Sequence, residues 1–328
     1  MIAAMNTLPS NSAVEIVPAS VVGTLAERNV MEDLLATKRS ENTRKAYNRD
    51  LKDFFWTIAH QEPTAELVIE FLQLSKEQAL SLVLGYKQQL LSKKLSEATI
   101  NRRLAAIKAL VTFAYRIGQC AWTLAELKGE KVKTYRDTTG IPPVAFKRML
   151  QIPNRRILKG KRDYALLRLL WDNVLRREEL CQANLEDLDL EGKTLKILGK
   201  GKGTQKETVT LSKPTVEALQ DWLVARRELK RSKPLFIALD RASYGHRLTG
   251  TGVYKIVSQI AREAGINKPL SPHRIRHSGI TAALEATNGD VRKVQKLSRH
   301  SDLNTLMIYD DNRKNQQGEV TDLLADLV

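Results

Sequence analysis

From about Leu25 to Lys128 the apolar positions of the chain recur at helical spacing. Tyr47, Leu51, Phe54 and Ile58 form one face, preceded by the helix-start run Ser40-Glu41-Asn42-Thr43. Ser75 and Gln78 make a capping box ahead of Ala79, Val83, Tyr86 and Leu90. A third helix opens at Ser96, buries Ile100, Leu104, Ile107, Val111 and Ala114, and stops at Gly118. Its opposite face carries Asn101, Arg102, Arg103 and Lys108. Asn and Arg read base edges through paired hydrogen bonds, so this face is either groove-facing or a solvated basic surface laced with i,i+4 pairs.

The periodicity lapses between Lys128 and Pro143, where glycine, proline and charge mark a flexible connector. Pro143 then opens a short helix, and Tyr164, Leu167, Leu170 and Trp171 ride on the next. After Asp187 the period shortens to two. Leu195 and Ile197 alternate with Thr194 and Lys196, Val209 and Leu211 lie on a returning strand, and Gly199-Lys200-Gly201-Lys202-Gly203 is the hairpin tip. Helices follow from Pro214 to about Leu229, from Thr251 to Ala264, and from Pro272, where Ile275, Ile280, Ala283 and Leu284 share a face. Asn288-Gly289-Asp290 is a turn with a fresh N-cap for Val291, Val294 and Leu297, and His300-Ser301-Asp302 caps a short helix that ends on Tyr309. In the tail, Val320, Leu323, Leu324 and Leu327 make an apolar stripe on a helix too short to persist undocked in water.

The expected fold class is mainly α with a small antiparallel β-sheet. Its parts are a disordered leader (1–24), a helical domain (25–127), a basic linker (128–141), a second domain (142–318) and a tail helix (319–328).

Charge narrows the class of partner. The 328 residues carry 53 Lys+Arg against 37 Asp+Glu, a net +16, which points to a polyanion such as nucleic acid. Residues 128–176 alone hold 13 Lys+Arg against 4 Asp+Glu, as suits a segment lying along a phosphate backbone. A membrane partner is not expected, since no apolar run approaches the ~20 residues of a spanning helix and no lipidation motif is visible. Cys120 and Cys181 give no disulfide framework and fit a reducing cytoplasm, and the N-terminus lacks the pattern of a secretory signal.

Candidate chemistry gathers between Pro272 and Tyr309, which hold His273, Arg274, Arg276, His277 and His300. His273 and Arg276, three apart at the positive end of a helix, form an anion site with the backbone amides. His273 and His277 have the i,i+4 spacing of two zinc ligands, but HRIRH places two cations and no acid between them, so no metal is expected. Tyr309 alone reads as a core residue; nitrogen donors nearby make its hydroxyl a candidate nucleophile toward phosphate. The lysine hairpin is not a nucleotide-binding loop, because it joins two strands and no Lys-Ser/Thr pair opens a helix after it.

His273-x-x-Arg276, His300 and a tyrosine nine residues later resemble the C-terminal half of the active site of tyrosine recombinases, the phage-integrase family. Upstream, Leu175-Arg176-Arg177-Glu178-Glu179-Leu180 resembles that family's Leu-Arg-x-x-Glu-Leu box, and Gly199-Lys200-Gly201 sits where its hairpin lysine belongs. The likeness covers roughly residues 38–310 and three motifs in the right order. It implies a Xer-like, two-domain member: a helical core-binding bundle, in which Thr43 and Arg44 contact phosphate, and an α+β catalytic domain. The implied reaction is site-specific cleavage and rejoining of DNA through a 3′-phosphotyrosyl intermediate, with no metal, ATP or other cofactor.

Arg176 and Arg276 would fork the non-bridging oxygens and His300 would add a hydrogen bond. Lys200 would protonate the 5′ leaving oxygen, His273 would accept or relay the Tyr309 proton, and Glu179 would orient a site residue. Lys202 is a further DNA contact. The implied partners are duplex DNA with a specific site and a homotetramer, or a heterotetramer with a related recombinase, in the cytoplasm at the nucleoid. Each tail would dock on its own domain or, as the resemblance favours, plug a neighbouring protomer.

Two departures add bulk beside the site. Val174 stands where the family has glycine, and Ser298-Arg299-His300 replaces Leu-Gly-His, with Arg299 offering a further phosphate contact. Three rivals remain. A type IB topoisomerase shares the chemistry, but the compact helical N-terminal domain and the tail favour a recombinase. A non-catalytic DNA-binding regulator is disfavoured because every catalytic position is filled, and a metal-dependent nuclease needs a carboxylate cluster that is missing.

Overall fold

A computed structural model describes residues 29–132, 140–199, 203–226, 233–311 and 316–327. The chain divides into two compact units, Met1–Thr134 and Tyr135–Val328. The expected leader lies outside the described residues.

In the first unit the described helices are α1 (Val30–Ala36), α2 (Glu41–Ala59), α3 (Ala65–Gln73), α4 (Lys76–Ser92) and α5 (Glu97–Arg116). Each starts where a short polar side chain accepts a backbone amide: Asn29, Ser40, Thr64, Ser75 and Ser96. Ser75 and Gln78 close the expected box reciprocally, at 3.1 and 3.2 Å. Leu51, Phe54 and Phe55 of α2 pack with Val83, Tyr86 and Leu90 of α4 and with Ile100, Leu104 and Ile107 of α5. Each such side chain stabilises the fold by about 1.5–3 kcal/mol. Tyr47 and Ile58, expected inside, are only half-buried. Phe55 takes the inward place, edge-on to Phe54 at 5.2 Å between ring centroids.

Beyond α5 the chain turns back under the bundle, burying Cys120, Trp122, Leu124 and Leu127. Residues 128–130, expected within a flexible linker, are fixed instead. Lys108 Nζ donates to Leu127 O at 3.0 Å and Lys87 Nζ to Lys128 O at 3.1 Å. The Asn101 amide takes both backbone groups of Glu130, at 2.7 and 2.9 Å. Side chains of α4 and α5 thereby satisfy backbone that a slack linker would leave to water. Residues 133–139 lie outside the described residues.

The second unit holds α6 (Pro143–Gln151), α7 (Leu158–Asp172), α8 (Arg177–Gln182), β1 (Leu188–Asp189), β2 (Thr194–Leu198), β3 (Lys206–Thr210), α9 (Lys213–Ala225) and α10 (Gly250–Glu263). It continues with α11 (Pro272–Ala286), α12 (Val291–Ser298), α13 (Leu303–Asp311) and α14 (Gln316–Ala325). The strands form one antiparallel sheet in the order β1-β2-β3, with Leu195 opposite Val209 and Leu198 opposite Lys206. Leu195 and Ile197 point inward, as the period of two demands. Helix α9 stops at Ala225, short of the expected Leu229; residues 227–232 lie outside the described residues.

Two cores hold this unit. The larger gathers α7, α9, α10 and the sheet around Trp222, Phe236, Leu166 and Leu219. The smaller one, Val174, Ile280, Leu284, Val294, Leu306 and Tyr309, ties α11, α12 and α13 to the turn after α7. The fold is thus mostly helical with a small three-stranded antiparallel sheet. Among the described residues, no helix is long and apolar enough to cross a membrane.

Candidate active site

Helix α11 starts with Ser271 Oγ accepting from Arg274 N at 3.2 Å and Pro272 in its first turn, so the next turn presents Arg276 inward. Arg276 is 2% exposed. Its guanidinium donates to the carbonyls of Val174 and Ser298, and lies 3.3 Å from His300 Nε2. Carbonyls orient the group without cancelling its charge. Burial first, and then Arg176, pull its pKa down to about 9, so it is still a cation at neutral pH.

Val174 makes this seat possible. Its φ is +42°, the left-handed region in which a β-branched residue is strained, and the turn aims its carbonyl at Arg276. A valine fits where the family has glycine because α11 passes at Gly279. A Cβ there would stand 2.7 Å from the Val174 methyl and 3.1 Å from Trp171 O.

Arg176 caps α8. Its backbone N–H donates to Glu179 Oε2 at 2.8 Å and its guanidinium to Glu179 Oε1 at 2.6 Å. Glu179 is buried, and Arg299 donates to the same Oε2 at 2.8 Å. Burial pushes the Glu179 carboxyl up, but Arg299 and then the Arg176 amide outweigh it and hold the pKa below the usual carboxylate value. Arg299 also donates to Leu297 O at 2.8 Å and Asn173 O at 3.2 Å. Both terminal nitrogens of its guanidinium, expected to contact phosphate, are thus engaged by Glu179 and two carbonyls, with the side chain 11% exposed.

His300 has Nδ1 3.1 Å from Ser298 Oγ and Nε2 facing Arg276. Since the guanidinium only donates, Nε2 accepts, and Nδ1 carries the proton toward Ser298, whose hydroxyl passes its own to Gln295 O at 3.3 Å. Burial, and then Arg276 and Arg176, lower the His300 pKa to about 4, so the ring is neutral until an anion arrives.

Tyr309 is 5% exposed, seated in the smaller core. Its hydroxyl lies 3.5 Å from His277 Nε2, which is 2.7 Å from His273 Nε2. The His300 ring flanks Tyr309 at 6.0 Å between centroids. Fixed cations, a neutral imidazole and a phenol therefore converge, an arrangement able to hold a phosphate beside a nucleophile. Among the described residues no group of three or more His, Cys, Asp or Glu could hold a metal ion.

Residues 141–316 match the phage integrase family, and residues 31–118 match the phage integrase N-terminal SAM-like domain. The chain belongs to the phage integrase family. This recombinase is 53% identical to a tyrosine recombinase of Synechocystis sp. over 92% of its own length and 96% of the relative's. It is 48% identical to one of Synechococcus elongatus over 96% and 99%. Tyrosine recombinase XerC of Thermodesulfovibrio yellowstonii is 29% identical over 82% and 85%. The fold is shared with XerH recombinase bound to palindromic difH substrate, with TM-score 0.61 and 18% identity over 91% of this chain and 94% of that one. It is shared also with a lambda integrase dimer bound to a COC′ core site, with TM-score 0.61 and 12% identity over 87% and 94%. The protein is a tyrosine-type site-specific DNA recombinase.

Of the site residues expected from sequence, Arg176, Glu179, His273, Arg276, His300 and Tyr309 come together. Lys200 and Lys202 lie outside the described residues, between the ends of β2 and β3. In the recombinase's first unit Arg44 is exposed on the opening turn of α2, with Thr43 half-buried beside it. On the half-buried face of α5, Arg102 pairs with the buried Asp50, Arg103 with Asp53 and Tyr86, and Asn101 and Lys108 hold the returning chain. Asp50, beside Leu51 in an apolar pattern, was the available signal, since a buried carboxylate needs a cation. Sequence reasoning weighed His277 only as a metal ligand; the structure sets its ring edge-on to His273 and beside Tyr309.

Proposed function

We propose that this recombinase cleaves one strand of a specific duplex site by attack of the Tyr309 hydroxyl on the scissile phosphate. The products are a 3′-phosphotyrosyl bond and a free 5′-hydroxyl, and the reverse attack by a new 5′-hydroxyl rejoins the strand. The observation that carries this reading is a surplus of fixed positive charge beside a phenol: Arg176 and Arg299 share one carboxylate, while Arg276 is held by carbonyls. A phenol of pKa about 10 attacks poorly unless its charge, and that of the pentavalent phosphate, are stabilised. Arg176 and Arg276 take the non-bridging oxygens, and His300, charged by the incoming anion, donates a further hydrogen bond. Lys200 protonates the 5′ leaving oxygen, His273 assists the phosphate or the proton transfer, and Glu179 positions Arg176. The covalent bond conserves the phosphodiester energy, so neither ATP nor a metal ion is required.

In this reading residues 25–127 grip the duplex through Thr43 and Arg44, and Lys202 touches phosphate from the hairpin. Asn101, Arg102, Arg103 and Lys108 act through the frame they hold. Residues 142–318 carry the chemistry, 128–141 connect the two, and the protein works at the nucleoid. Strand exchange joins two duplexes, hence four protomers, alike or paired with a related recombinase. The tail supports an assembly in trans, since Leu323 and Leu324 on α14 and Leu327 just beyond it are 65, 60 and 79% exposed, an apolar stripe in need of a neighbour.

The test is to trap detergent-resistant protein–DNA adducts in cells and sequence the attached 3′ ends. One site should recur with the wild type and vanish with Tyr309→Phe; adducts that persist in that variant would remove Tyr309 from its role.

A further inference from the structure

Tyr309 and the two histidines of α11 stand in a row. Nε2 of His277 is 3.5 Å from the Tyr309 hydroxyl and 2.7 Å from Nε2 of His273. His277 is 8% exposed, its ring tilted against Tyr309 at 5.0 Å between centroids and edge-on to His273 at 4.2 Å. An imidazole nitrogen is either an N–H or a lone pair, so Nε2 of His277 cannot serve both neighbours as an acceptor. At 2.7 Å one of the two histidines donates and the other accepts. His277, not the expected His273, is the nearer of the pair to the nucleophile.

We propose that His277 is the base that takes the Tyr309 proton, and that His273 is the latch that keeps His277 occupied until phosphate arrives. The inference rests on Tyr309 being the nucleophile. While His273 donates into Nε2 of His277, that lone pair is filled and Tyr309 keeps its proton. A phosphate held by Arg176 and Arg276 draws the His273 N–H to one of its oxygens and releases the lone pair. The Tyr309 O–H bond then breaks, its proton passing to Nε2 of His277 to give an imidazolium. The phenolate oxygen bonds to phosphorus, the P–O5′ bond breaks, and the departing oxygen takes a proton from the general acid. In rejoining, the imidazolium returns its proton to the departing Tyr309.

The test uses full-length protein and a nicked duplex carrying the mapped site, with an ordinary or a sulfur-bridged 5′ leaving group, and times adduct formation in single turnovers. His277→Ala should bind DNA normally yet cleave about a hundredfold more slowly, the lower scale of general-base catalysis. Sulfur should not restore the rate, because the leaving group is not at fault. Added imidazoles should restore it, more so as their basicity rises, by entering the vacated space. His273→Ala should lose less than His277→Ala, since removing the latch leaves the base in place. His277→Gln, closer in size, carries the comparison if the alanine variant does not fold.

Cleavage by a folded His277 variant within about threefold of wild type would overturn the assignment. So would a rate that no imidazole restores, or a greater loss in His273→Ala. Tyr309→Phe in the same assay separates the two claims: adducts in that variant defeat the nucleophile itself, whereas their absence beside an undiminished His277 variant defeats only the base.

Discussion

Arginines on α5 and arginines around α11 are both half-buried or buried, yet they are held in opposite ways. Arg102 and Arg103 each face a carboxylate, Asp50 and Asp53, so their charge is spent inside the first unit. Arg276 is held by the carbonyls of Val174 and Ser298, and Arg176 shares Glu179 with Arg299. A carboxylate for each arginine neutralises the pair, whereas one carboxylate shared by two arginines, and carbonyls around a third, fix the cations and leave a net positive field available to an anion. A basic residue is thus assigned to scaffold or to site by the chemistry of its partner, which net charge does not reveal.

The largest break in that contrast is expected at Arg276. Arg276→Ala should slow single-turnover cleavage by about 10²–10³, the scale of losing an oxyanion donor. Arg276→Lys should do little better, because one ammonium cannot span both carbonyls and still reach phosphate. Equal cleavage by either variant would make this arginine structural too.

Arg102→Ala tests the other side. Asp50 would be left buried with only the exposed Arg49 at 3.8 Å, at a cost of about 2 kcal/mol in urea unfolding of the first unit. This is below the figure for a fully buried pair because the Arg102 side chain is 34% exposed. Cleavage at saturating DNA should be unchanged. A slowed chemical step would mean that α5 meets the substrate after all.

A smaller effect, about 1 kcal/mol once solvent screening is allowed for, should appear in the pH dependence of stability. Burial beside cations lowers the folded His300 pKa to about 4 from an ordinary value of 6.5. Between those values the unfolded chain binds the proton more readily, so stability falls as pH drops through this window. Thermal melts of His300→Asn should lose that slope. A slope unchanged from wild type would place the acid sensitivity elsewhere.

The motif order from Arg176 to Tyr309 was legible because catalytic spacing is written along the chain, and the helices because their caps and apolar periods are local. Partners across the fold were not. Nothing near Arg102 in sequence announces Asp50, and nothing near Arg299 announces Glu179; both pairings arise from packing. Helical spacing put His273 and His277 on one face but could not say which of them α13 would bring to Tyr309. The left-handed turn at Val174 was hidden as well, since the room for its methyl is supplied by Gly279 on another helix.

The nucleophile itself can be read directly. Adducts formed on the mapped site in the presence of a chelator can be digested and the nucleotide-bearing peptide sequenced by mass spectrometry. Attack by the Tyr309 hydroxyl predicts a 3′-phosphate on Tyr309, formed at the same rate with or without the chelator. A nucleotide on another residue, a 5′ linkage, or no adduct once metal is removed would contradict it.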